Sequence, residues 1–292
     1  MLRSIKLYAG VIENAAMRGP EKNNHANLAG IVPIAGKNLD FGLPWHDAMM
    51  PLANDYCAFE RAIFECACAG CRSIWVICHR EMKPIFRNRV GRYVRDPLVH
   101  TKYRSFPKDF RTRYIPLYFV PVSPADRDER DNLGWTALWG CYAASRLLMG
   151  LSGWGMPSRF YIAFPYGAYD PRNIIQHRSK VISPANRNFR FVYNGKTAQN
   201  DSEYLGCTVL PSDINRCSNS FRKKEPSIDV TSELNEVFSA INRNTIDIEM
   251  DWYYNIDNWD GYKTYLGSEH SKLLVKPEEI TVSREKSRIL DA

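Results

Sequence analysis

Apolar residues occur in this chain as short dense runs alternating with stretches that repeat every three to four positions. Residues 28–35, LAGIVPIA, are continuously apolar, rich in β-branched side chains and closed by Gly36, which predicts a buried strand feeding a turn. From Ala58 to Ala69 the apolar positions take a helical period, and Gly70 ends them where a helix needs a left-handed residue. SIWVIC, residues 73–78, is a second buried strand. Strand, helix and strand within one short stretch make a βαβ unit with parallel strands and a right-handed crossover.

The alternation continues. Residues 114–122 and 159–165 predict strands around a helix over 135–149; residues 189–194 and 204–210 predict two more, followed by a helix over 232–242. Residues 246–257 are strand-like, and a last helix starts near Asp260, its expected N-cap, and runs toward Leu274. The fold class is therefore α/β, with three layers and a mostly parallel central sheet carrying helices on both faces. No fixed-period repeat or long Pro/Gly/Ser linker divides the chain. The expected organisation is an arm over 1–27, one domain over 28–274 and a tail over 275–292.

Composition adds limits. At 292 residues, with 45% hydrophobic and 24% charged, the chain can bury a core without disulfides. Five of eight cysteines lie between residues 57 and 78, interleaved with Ala, Phe and Ile, which reads as a reduced interior. Cys66, Cys68 and Cys71 with His79 resemble metal ligands superficially, but paired knuckles are absent. No sustained apolar leader opens the chain and no 18-residue apolar run occurs, so a soluble, cytoplasmic protein without a membrane partner is expected. The net charge of +7 is local: 11 basic and 3 acidic residues between Arg80 and Arg113 give +8, leaving −1 elsewhere. Because that segment mixes Arg and Lys with Tyr and Phe, it suits either a solvated surface or a phosphorylated or nucleic-acid partner.

In an open α/β sheet, ligands bind beyond the carboxyl ends of the strands. The loops after Ala35, after Cys78, after Pro165 and around Asp257 are the ones to inspect, and they carry Lys37, Asp40, Asp170, Asp257 and Asp260. Asp40 and Asp170 equally suit plain turns. The tryptophans at 135, 139, 252 and 259 read as core or edge packing.

The stretch from Ile31 to Cys78, IVPIAGKNLDFGLPWHDAMM and onward to AGCRSIWVIC, resembles the opening of the sugar-1-phosphate nucleotidyltransferases. TSELNEVFSAINRNTIDIEMDWYYNIDNWDGYKTYL is similar to that family's closing segment, and NLGWTALWGCYAASRLLM lies where the family has a Gly-Thr-Ala helix under the base. The resemblance spans roughly residues 28 to 274 and implies a nucleoside triphosphate or nucleotide sugar, a sugar phosphate and Mg²⁺ as ligands. It assigns Ala35, Gly36, Lys37, Gly134 and Trp135 to the nucleotide, Lys37 and His46 to catalysis, and Asp170 and Asp257 to the metal. The chain departs from the family pattern in three places. Its loop has one Gly and no Arg; the family Lys falls at Asp47 or His46; and PYGAYD replaces the usual Gly-Asp, moving Asp170 outward. Three functions follow: an active nucleotidyl- or glycosyltransferase, a fold retained for binding or assembly, and a transferase whose acceptor is nucleic acid held by Arg80–Arg113.

Overall fold

The computed structural model describes residues 27–36, 41–98, 113–122, 132–151, 156–181, 187–223, 234–241 and 245–280. In chain order β1 (Leu28–Pro33) is followed by a 3-10 turn over Asp47–Met49 and the hairpin β2 (Pro51–Ala53) and β3 (Tyr56–Cys57). Then come α1 (Ala58–Ala69), β4 (Ser73–Cys78), α2 (Lys83–Val90), β5 (Tyr93–Arg95), β6 (Tyr114–Pro121) and the long α3 (Leu133–Leu151). The second half contains β7 (Arg159–Ile162), β8 (Gly167–Ala168), the single turns α4 (Asn173–Gln176) and α5 (Arg178–Val181), β9 (Asn188–Val192) and β10 (Cys207–Val209). It closes with α6 (Pro211–Lys223), α7 (Leu234–Phe238), β11 (Thr245–Glu249), β12 (Tyr254–Asn255) and α8 (Trp259–Gly267).

One eight-stranded sheet runs β11-β9-β10-β7-β1-β4-β6-β5. The β1 strand pairs in parallel with both β4 and β7, β4 with β6, and β9 with β11, while β10 and β5 are reversed. The mostly parallel three-layer expectation therefore holds. Alternation along β1 sends successive residues to opposite layers. A Cβ on Gly30 would stand 2.7 Å from the Cβ of Cys66 in α1, and one on Gly140 of α3 would stand 2.8 Å from Ile31. Both helices thus lie against the sheet where glycine removes the side chain. Gly70, at φ 90°, ends α1 in the left-handed conformation that its position predicted. All eight cysteines are buried free thiols packed as small apolar groups.

Several elements differ from the sequence reading. Residues 246–257 form two strands, because the chain leaves β11 at Met250 and re-pairs as β12 with β8, in a separate two-stranded ribbon. Asn258, rather than Asp260, caps α8: its Oδ1 accepts from the Gly261 N–H at 2.9 Å. The polar helix α6 was not expected, although its start at Pro211 with Asp213 in the first turn is a regular N-terminal signal. Beyond Leu274 the chain stays on the domain as far as Ile280, which is buried. Lys276 there reaches Asp55 at 2.8 Å and Glu60 at 3.4 Å.

Candidate functional site

The carboxyl edge of the central strands is built first by the turn after β1. The N–H groups of Ile34 and Ala35 both donate to the carbonyl of Ile77, at 2.8 and 3.1 Å, which bends the chain over β4. Gly36 follows at φ 88°, and a Cβ there would lie 2.5 Å from the carbonyl carbon of Asn132. No other residue fits that approach without moving backbone. Asn132 in turn caps α3, its Oδ1 accepting from the N–H of Trp135 at 2.7 Å. A tight glycine turn is thereby pressed on the N-terminus of a 19-residue helix, where backbone N–H groups and the helix dipole favour an anion. Lys37 and Asp40 lie outside the described residues.

Gly134 and Trp135 belong to the first turn of α3, but Gly134 faces α7: a Cβ there would stand 2.5 Å from Val237. The absent side chain lets α7 close on α3, and Trp135 is buried in the core. Gly134 and Trp135 therefore shape the wall of the edge through packing.

His46 caps the 3-10 turn, its Nδ1 accepting from the Ala48 N–H at 3.2 Å, with the ring edge-on to Phe86. Burial, reinforced by His79, lowers its pKa to about 4. The imidazole is neutral at pH 7, so it offers phosphate a hydrogen bond rather than a charge. Asp47 is buried beside it. Burial and the nearby Asp47 both push the Tyr166 hydroxyl pKa upward.

The two aspartates assigned to a metal are not brought together. In the β8–β12 ribbon Ala168 faces Tyr254 and Gly167 faces Asn255, and the Ile256 N–H donates to the Tyr166 carbonyl at 2.9 Å. Antiparallel pairing carries the chain past Asn255 back toward Tyr166 and the carboxyl edge, whereas the chain past Ala168 leaves in the opposite direction. Asp257 consequently sits by Tyr204, whose hydroxyl donates to its Oδ2 at 3.3 Å, with Asn258 donating to Oδ1 at 2.8 Å. Asp170 instead accepts from the Arg172 N–H at 2.9 Å in a local turn. That turn stands beside the C-terminal half of α1, where Arg172 covers the Phe64 ring and the Asp170 charge helps raise the Cys68 pKa, behind burial. The positions directly after β7, Ala163 to Tyr166, hold no carboxylate. Among the described residues no group of three or more His, Cys, Asp or Glu suits a metal ion. The register thus seats Asp257 by Tyr204 and leaves Asp170 in its own turn; among the described residues Asp47, Asp257 and Glu203, which accepts from Tyr253 and Asn255, are carboxylates at this edge.

Beneath the edge lies a sealed ionic knot that the sequence pattern did not reveal. Arg61 and Glu65, both wholly buried on α1, pair at 2.8 Å. Glu65 also accepts from Tyr161 at 2.5 Å and from Tyr169 at 2.8 Å. Arg61 lies over the Tyr169 ring and donates to the Phe164 carbonyl, while the Tyr169 hydroxyl accepts from the Gly206 N–H at 3.1 Å. The knot ties α1 to the chain after β7 and to the chain entering β10. The only advance signal was Arg61 and Glu65 one helical turn apart in an otherwise apolar helix.

Three of the seven basic residues in the described part of the strip carry ion pairs. Arg89 is held by Glu60 at 3.0 Å and Asp55 at 2.7 Å, Arg95 faces Glu278 at 3.6 Å, and Arg113 faces Asp96 at 3.9 Å. Residues 99–112 of the strip lie outside the described residues.

With this geometry in place, comparison with solved structures places the chain. UDP-glucose pyrophosphorylase in complex with UDP-glucose matches at a TM-score of 0.53 and 12% identity, over 85% of this chain and all of the other. The UTP-bound enzyme from Acinetobacter baumannii matches at 0.52 and 12%, over 91% and 99%. A protein assigned as a glucose-1-phosphate thymidylyltransferase from Bacillus anthracis, in complex with a sucrose, matches at 0.52 and 8%, over 84% and 99%. The chain shares its fold with these three proteins. At these identities the likeness is one of fold. No family model matches the sequence, and no curated protein matches it either. No helix among the described residues is long and apolar enough to cross a membrane.

Proposed function

We propose that this protein binds a nucleoside triphosphate or nucleotide sugar at the carboxyl edge of the sheet and transfers a nucleotidyl group to or from a sugar phosphate. The observation that carries the reading is Gly36, held at φ 88° against the cap of α3 with no room for a Cβ. Such a turn directs backbone N–H groups at a phosphate tail without side-chain obstruction. Lys37, next in sequence, is the candidate cation for that tail, and neutral His46 the candidate hydrogen-bond donor. Ala35 and Gly36 form the turn itself, and Gly134 with Trp135 form the wall behind it.

Magnesium is assigned to Asp257 together with ligand phosphate oxygens and water, an ordinary set for an ion that keeps much of its hydration. Asp170 has no part in it. When bound, the ion would neutralise charge on the phosphates. The titration that tests this is a thermal-shift series of the four nucleoside triphosphates, UDP-glucose and glucose 1-phosphate, each with and without Mg²⁺. One nucleotide should raise the melting temperature, and its Mg²⁺-dependent part should vanish in Asp257→Asn and persist in Asp170→Asn. No shift with any nucleotide at millimolar concentration would refute the binding site.

The separation of Asp170 from Asp257 favours a second reading, in which the cleft binds a nucleotide without turning it over. Pyrophosphate release from the shifting nucleotide in the presence of glucose 1-phosphate discriminates the two. Release at a rate abolished by Asp257→Asn supports transfer, and binding without release supports the second reading.

A further inference from the structure

The loop that starts at Gly36 is described at its start and again from Phe41. Its beginning meets the N-terminus of α3 on one face of the sheet, through Gly36 and Asn132. Phe41, further along, joins a separate apolar cluster with Met50, Leu52, Ile256, Tyr262 and Tyr265 on the α1 face. Tyr262 and Tyr265 of α8 are fixed there, donating to the Pro51 and Leu52 carbonyls at 2.7 and 2.8 Å. The first residue of α8, Trp259, leans on this cluster: its ring lies 5.0 Å from that of Phe41, at 86° to it. Phe41 is buried, yet Trp259 is 41% exposed. The indole therefore packs between Phe41 and the Tyr262 ring, 6.0 Å away, and leaves much of its surface open. It stands two residues after Asp257. One helical turn on, Lys263 is exposed, with Asp260 at 4.0 Å.

Resting on the nucleotide reading above, we infer that Trp259 is the platform for the sugar ring of the acceptor or nucleotide sugar, with Lys263 as the partner of a sugar phosphate. A pyranose has one face of C–H groups that covers an indole well, and its hydroxyls remain free for polar partners. The alternative stacking partner, the nucleobase, belongs on the other side of the loop, because the turn that would hold the phosphates abuts α3 there. Residues four apart on a helix have Cβ atoms about 5–6 Å apart, so a ring on Trp259 places an anionic substituent within reach of the flexible Lys263 side chain. The sequence reading of Trp259 as edge packing accounts for its contact with Phe41 but not for its open surface.

Calorimetric titration of the full chain and of Trp259→Ala, Trp259→Phe and Lys263→Gln with UTP, dTTP, UDP-glucose and glucose 1-phosphate tests the inference. Trp259→Ala should weaken UDP-glucose and glucose 1-phosphate about five- to tenfold while triphosphate affinity stays within about twofold. Trp259→Phe should recover most of the loss, and Lys263→Gln should weaken glucose 1-phosphate about threefold. Melting temperatures of the free variants report whether the fold survives. Unchanged sugar affinities, or equal losses for triphosphates and sugar ligands in a folded variant, would overturn the platform. If the unaltered protein binds a triphosphate but neither sugar ligand, the platform falls and the nucleotide reading stands. If it binds none of the four, both fall.

Discussion

Two carboxylates of this fold have opposite fates. Glu65, inside, receives the Arg61 guanidinium and the hydroxyls of Tyr161 and Tyr169, and it has no exposed surface. Asp257, at the edge, receives the hydroxyl of Tyr204 and the amide of Asn258, and it is half-buried. The first group is saturated and closed to ligands: burial pushes its pKa up against the pull of Arg61 and the tyrosines, and its role is to tie three elements together. The second accepts from the neutral groups of Tyr204 and Asn258 and reaches the surface. A cluster of ionisable groups is thus no guide to a site unless its hydrogen-bonding capacity is counted.

The largest expected effect breaks the interior member of this comparison. Glu65→Ala leaves the Arg61 charge buried without its partner and should cost about 3–5 kcal/mol in urea denaturation. A loss below about 1 kcal/mol would mean that the knot is not the tie described above. At the edge, Gly36→Ala adds a methyl group against the backbone of Asn132 at a positive φ. It should cost about 2 kcal/mol or more and abolish any nucleotide-induced thermal shift. A stable Gly36→Ala protein that still binds nucleotide would remove the observation on which the function rests.

A smaller effect sharpens the picture of the edge through pH. The His46 pKa falls from 6.5 in the unfolded chain to about 4 in the fold, so the folded protein binds fewer protons between those values. Its stabilisation is complete above about pH 6.5 and is lost as pH falls through about 4. His46→Asn keeps an oxygen that can cap Ala48 and carries no titrating group. Its melting temperature should decline less than that of the parent between pH 6.5 and 4, and parallel profiles would contradict the burial of His46. The smallest effect belongs to Asp257→Asn, which should change stability by about 1 kcal/mol or less while removing the magnesium-dependent part of nucleotide binding. A large loss of stability would move Asp257 into the class of Glu65.

Sequence alone determined the architecture, because strand and helix periods, glycine stops and β-branched runs are local properties. The βαβ unit from Leu28 to Cys78, the helix over 135–149, Gly36 as a turn and Gly70 as a cap were all legible there. The partners of polar groups were not, because they are set by residues far apart in the chain. Asp170 and Asp257 looked equivalent as loop aspartates, and the antiparallel register of a ribbon two residues wide decided which one faces the carboxyl edge. Nothing local in the sequence pairs Gly134 with Val237, over a hundred residues away, which occupies the place of its missing side chain. Trp259 read as packing because no periodicity distinguishes a buried ring from one left partly exposed. Local pattern encodes which residues form an element. Only the tertiary packing decides which side chains remain with unused surface, unused charge or unused hydrogen-bonding capacity, and those are what a ligand can meet.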